Sequence, residues 1–139
     1  MIKGISINET EEYVSKYDLG DNPTIWIIGV LDSLTMAEIR DMITIFENDE
    51  FVGTSKTKLK INVADAETVR HGLKGFKNFY SSNGTVIEFK TERRNMGTKV
   101  MNAVNDDVLR TIPLYIIREL AEVIRSKNVL SEIESKNSD

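Results

Sequence analysis

Cysteine is absent from this chain of 139 residues. That excludes disulfides, thiolate zinc sites and thiol nucleophiles. Histidine occurs once, as His71. A lone histidine without cysteine leaves no ordinary zinc spacing. A Ser-His-Asp triad would have to use His71, yet the chain holds no Gly-x-Ser-x-Gly elbow. Phosphate-binding fingerprints are missing too: there is neither a Gly-x-x-x-x-Gly-Lys loop nor a Gly-x-Gly-x-x-Gly turn. The longest uncharged apolar run, Pro23 to Leu31, falls far short of the roughly 20 residues a membrane-spanning helix needs. The opening residues, Met1-Ile2-Lys3-Gly4, lack the apolar stretch of a signal peptide, so a cytoplasmic location is expected. Charge is mixed, with a formal net of −4, and offers no basic surplus for nucleic acid. No metal, cofactor or catalytic residue is therefore assigned, and the chain is not expected to be an enzyme.

What is present is the pattern of a small soluble domain, 40% apolar and 29% charged. Residues 1–22 read two ways. Asn8 with Glu11 resembles a helix capping box, whereas Ile5 and Ile7 alternate as a strand would. Asp18 to Pro23 is turn-rich. Thr24 to Leu31 is β-branched and apolar between Pro23 and Asp32, which predicts a buried strand. Ser33 or Thr35 then caps a helix carrying Ile39, Met42, Ile43 and Phe46 on one face. Lys58 to Val63 alternates, with Leu59, Ile61 and Val63 on one side, and predicts a half-buried strand. Asp65 opens a short helix that Gly72 ends. Asn83-Gly84 supplies the turn of a hairpin between Phe76–Tyr80 and Thr85–Lys90. Thr91 to Val104 lacks periodicity and reads as a mobile loop. Asn105 or Asp106 caps a short helix, and Pro113 opens another. Its stripe is Leu114, Ile117, Leu120, Ala121 and Ile124, and its wet face includes Arg118, Glu119, Glu122 and Arg125. Asn128 ends that helix, leaving residues 129–139 as a frayed segment. The whole is expected to be one α+β domain: a small, mostly antiparallel sheet with helices packed on it, and amphipathic helices at the C-terminal end.

Most polar features have ordinary structural explanations. His71 beside Gly72 suits a helix end. Asp106-Asp107 suits a helix start. Lys56, Lys58 and Lys60 would guard a sheet edge. Phe76, Phe79, Tyr80 and Phe89 belong to a core better than to a base-stacking platform. The long loop is different, because long loops inside compact domains are often functional. There Lys90, Arg93, Arg94 and Met96 are candidate partner contacts.

The second half also carries Leu73, Gly75, Phe76 and Asn78, then Asn83-Gly84, then Ile112-Pro113 leading into Leu120 and Ile124. It closes on Leu130-Ser131-Glu132 and Lys136-Asn137. In this it resembles small proteins of bacteriophage tail-gene clusters, especially tail assembly chaperones. Two features depart from that pattern: no strongly acidic C-terminal tail and no frameshift-extended region. The resemblance implies a non-enzymatic tail morphogenesis protein that binds tape-measure or tail-tube subunits in the host cytoplasm. It implies a protein partner rather than nucleic acid or membrane. Lys90, Arg93, Arg94 and Met96 would make contacts, with Ile116 and Val123 as half-exposed anchors on the last helix. A virion subunit of the tail tube, baseplate or connector, or an inhibitor of a host defence protein, are the alternatives.

Overall fold

The computed structural model describes residues 1–47, 54–96 and 99–137, and side-chain surroundings for residues 1–42, 62–95 and 100–128. Its order is β1 (Thr10–Val14), β2 (Ile25–Gly29), α1 (Ser33–Glu47), α2 (Thr54–Gly72), β3 (Leu73–Lys77), β4 (Thr91–Met96), β5 (Lys99–Val104), α3 (Asp106–Thr111) and α4 (Leu114–Asn137). β1, β2 and β3 form an antiparallel sheet with β2 in the middle, and β4 with β5 forms a separate hairpin. The class is α+β.

β2 is central because it is the most apolar strand. Its Trp26 and Ile28 point at the helices and are buried. α4 crosses that face and also packs along α2. Its buried positions include Ile116, Ile117, Leu120, Ala121, Ile124 and Asn128, spaced three and four apart as one helical stripe. Each Ile or Leu buried there contributes about 2 kcal/mol, so this stripe positions the helix. Leu114, assigned to the stripe from its spacing, is instead 49% exposed, and Ile116 takes the inward place. The first turn therefore meets the core two residues further along than the pattern suggested, at Ile116.

Four other expectations change. The residues from Lys58 to Val63 are helical, inside α2. Alternation over six residues does not separate strand from helix, because Leu59 and Val63 are four apart and share a helical face as well. Asp65 consequently lies mid-helix rather than at a start. The segment 91–104 is the β4–β5 hairpin rather than a loop. Its inward face, Glu92 and Arg94 opposite Ala103 and Met101, is largely polar, so no apolar alternation marks it. α4 does not stop at Asn128 but runs to Asn137. α1 is capped by neither Ser33 nor Thr35: Asp32 accepts from the Thr35 N–H (2.8 Å) and hydroxyl (2.8 Å). The ambiguous N-terminal stretch resolves as strand β1, with Ile5 and Ile7 outside it.

Other local readings hold. Asn105 caps α3, its side chain accepting from the Asp107 N–H (2.9 Å). Pro113 stands before α4, and its carbonyl accepts from the Ile116 and Ile117 N–H groups. Gly84 adopts a left-handed φ of 86° at the end of a Ser82-Asn83-Gly84 loop. The strands expected beside it shrink to one bridge, Tyr80 with Val86.

Candidate binding site

A concavity lies where the β1–β2 connection meets the start of α4. It holds about 220 Å³ and is lined by Ser15, Tyr17, Asp18, Thr24, Trp26, Phe79, Pro113, Tyr115 and Ile116. Three local devices build it.

The first is a carboxylate clamp. Glu119 of α4 accepts hydrogen bonds from the Tyr13 hydroxyl (2.6 Å), the Ser15 hydroxyl (2.5 Å) and the Lys16 N–H (2.9 Å). Its position in the sequence predicts a wet face, but it is buried. Burial alone would push its pKa up. The three donors outweigh that cost and leave it lowered, so the group is held ionised. The same contacts act on Tyr13, whose phenol is pushed up to about 12 by burial first and then by Glu119. The clamp fastens the end of β1 to α4.

The second device is the turn after it. The Asp18 N–H donates to the Ser15 carbonyl (3.1 Å), and the Asp18 carboxylate accepts from the Thr24 N–H (2.9 Å). A short polar loop thereby closes over its own ends, as turn-rich residues do.

The third is Asn78, which leaves β3 with a left-handed φ of 62°, a conformation asparagine tolerates better than most residues. Its side-chain amide donates to the carbonyls of Asn22 (2.7 Å) and Pro23 (3.2 Å), and its own carbonyl accepts from the Thr24 hydroxyl (2.8 Å). This swings Phe79 against Trp26, with ring centroids 5.0 Å apart. Phe76 completes the aromatic cluster, 5.8 Å from Trp26 and 5.1 Å from Phe79.

The mouth is aromatic and half open. Tyr17 and Tyr115 meet edge to face at 5.4 Å, and they are 58% and 56% exposed. Val14, Leu19 and Leu114, each next in the chain to a lining residue, are exposed as well.

The contacts assigned from the sequence are scattered by the fold. Arg93 is exposed on the outer side of β4. Arg94 points inward and pairs with both carboxylate oxygens of Glu67. Lys90 lines a second, open groove with Thr85, Asn105 and Asp107. The Met96 side chain lies outside the described residues. Val123 is half buried against the core. Ile116 is buried rather than half exposed, and only it reaches the aromatic cleft. Sequence reasoning missed Tyr17, Asp18 and Tyr115. The available signal was a tyrosine placed off the apolar stripe just after Pro113.

His71 is likewise not the solvated cap its place beside Gly72 suggested. It is buried, with Nε2 3.4 Å from an Arg94 nitrogen and 3.8 Å from a Glu67 oxygen. Its pKa falls to about 4, because burial disfavours the charged ring and the nearby Arg94, Arg70 and Lys74 add to this against Glu67. Arg70 joins the same cluster through Glu67 and Asp106. Among the described residues, no group of three or more His, Asp or Glu side chains could hold a metal ion. No described helix is long and apolar enough to cross a membrane.

No protein-family model matches this chain, and neither does any curated protein or solved structure.

Proposed function

We propose that this is a non-enzymatic binding protein of bacteriophage tail morphogenesis, which holds a tape-measure or tail-tube subunit at the Tyr17–Tyr115 cleft. The host cytoplasm is where it would act. The resemblance of residues 73–137 to tail assembly chaperones supplies the biological setting. The observation that carries the binding role is the pair of exposed tyrosines, Tyr17 and Tyr115, that meet at the mouth of a cleft floored by Trp26, Phe79 and Ile116. Tyrosine offers a large rigid contact area with few rotors to freeze, which is why aromatic residues anchor interfaces. Two large exposed rings paired at a cleft, on a chain otherwise rich in charge, fit an interaction surface.

This reading assigns the contact to the cleft instead of the β4–β5 hairpin. Arg94 holds the hairpin to α2, so removing it perturbs the structure as well as any surface. The test is co-expression with the tape-measure and tail-tube proteins of the same tail-gene cluster. The unaltered chain should retain one of them. Tyr17→Ala with Tyr115→Ala should lose it while melting at the same temperature. Arg93→Ala should retain it. Retention by the double tyrosine variant would overturn the assignment of the cleft.

A further inference from the structure

We propose that the cleft takes a basic side chain, lysine or arginine, presented by the protein partner. The inference rests on the cleft being the partner-binding surface and adds the chemistry of what enters it. Size comes first. About 220 Å³ is less than the usual volume of a small-ligand pocket and too little for a helix, so a single side chain is the fitting occupant.

Lining comes next. Four aromatic residues, Tyr17, Trp26, Phe79 and Tyr115, surround the space, and the faces of such rings attract cations. A neutral apolar side chain would also suit aromatic walls, so charge has to decide. Asp18 lines the cleft, and among the described residues its carboxylate receives only the Thr24 N–H. Glu119 stands immediately behind Ser15, ionised and buried. Against these two full negative charges stands the start of α4. Its dipole amounts to about half a positive charge, and Pro113 contributes no N–H. Among the lining residues and their immediate chain neighbours the one positive side chain is Lys16, which is exposed to solvent. The cleft is therefore net negative.

Lys16 also reports on the rings. Its ammonium sits 5.2 Å from the centroid of Tyr17, so this aromatic group already draws a cation from its own chain. An incoming basic side chain would compete with Lys16 for that ring. Removing Lys16 should therefore strengthen binding, an effect that an apolar cleft without charge preference would not show.

Trp26 is the only tryptophan of the chain and lines the cleft, which makes its fluorescence a direct reporter. The probe is tetramethylammonium chloride, compared with neopentyl alcohol, a neutral molecule of the same shape, at constant ionic strength. Nα-acetyl-lysine methylamide and its arginine counterpart follow. The expected result is a saturable change with the cations and none with the alcohol. Asp18→Asn keeps an acceptor for the Thr24 N–H while removing the charge, and should weaken binding about five-fold or more, as should Tyr115→Ala. Lys16→Gln should strengthen it. An equal response to neopentyl alcohol, no response to any probe, or weaker binding in Lys16→Gln would each overturn the inference. The co-expression test separates the two readings. Partner capture that depends on Tyr17 and Tyr115, without a cation response, overturns the basic side chain and leaves the binding surface standing. A cation response with capture unchanged in the tyrosine variant overturns the partner surface, and with it the partner origin of the cation.

Discussion

Gly72 shows how one residue can be set by a neighbour far along the chain. A Cβ built at this position would meet Ile124 Cδ1 at 2.7 Å and Cγ2 at 2.8 Å, closer than side-chain atoms approach. The glycine reads as a helix stop, but its role is to let α4 lie against the end of α2. Gly72→Ala should therefore lose about 1–3 kcal/mol, the range for overpacking a core. The measurement is a urea titration, with Gly20→Ala as the comparison because nothing lies within 4 Å of that glycine. A Gly72→Ala protein as stable as its parent would mean that α4 sits farther from α2. Asn128 carries the same lesson. It looks like a helix terminator, yet it is buried, accepts from the Leu31 N–H (3.2 Å) and donates to the Leu31 carbonyl (2.8 Å). It satisfies the backbone of a residue 97 positions away, a partner that local spacing cannot reveal.

Among the elements, β2, α3 and the start of α4 were legible because each has an apolar run or a capping signal of its own. The β4–β5 hairpin was not, since the inward positions of β4, Glu92 and Arg94, are charged. Arg94 reaches Glu67 of α2, and Glu92 accepts from the Asn105 side chain (3.1 Å). These pairings add to the apolar contacts that Met101 and Val104 of β5 make with the core. Arg94→Ala should cost about 3 kcal/mol, the lower figure for removing one partner of a buried pair, because Arg94 is itself partly exposed. Its signature should be local. Amide exchange of Arg93 to Ala103 should quicken, while that of Trp26 and Ile28 in β2 should change no more than the global stability does. Uniform acceleration across the chain would show that the hairpin is not tethered through this contact.

For the whole molecule, stability should depend on pH at both ends. His71 has a folded pKa of about 4 against 6.5 in an unfolded chain. Between these values the unfolded state binds the proton and the folded state does not, so stability is full above pH 6.5 and declines as pH falls toward 4. The loss is up to about 3 kcal/mol. Glu119, lowered when folded, also loses its contribution as acid protonates it. At the other end Tyr13, raised from 10.0 to about 12, makes stability fall as pH rises through that interval. Urea midpoints at pH 7.5, 5 and 4 would check the acid limb. His71→Gln should flatten it, and an unchanged slope would mean that His71 is not buried neutral.

By itself the sequence determined the class of the protein and several of its boundaries. Proline, glycine and capping residues act within a few positions, and apolar spacing within one element reports that element's own period. Tertiary structure alone decided which polar side chains go inside and where the cleft forms. Glu119, Asn128, His71 and Arg94 all read as surface or end residues. Glu119, Asn128 and Arg94 are taken in because a partner distant in the chain supplies the hydrogen bonds or charge that offset desolvation, whereas His71 goes in as the neutral ring. The cleft joins the 15–24 connection, Trp26 of β2, Phe79 and the first turn of α4. No local pattern records that meeting, since it exists only once the stripe on α4 has packed across β2.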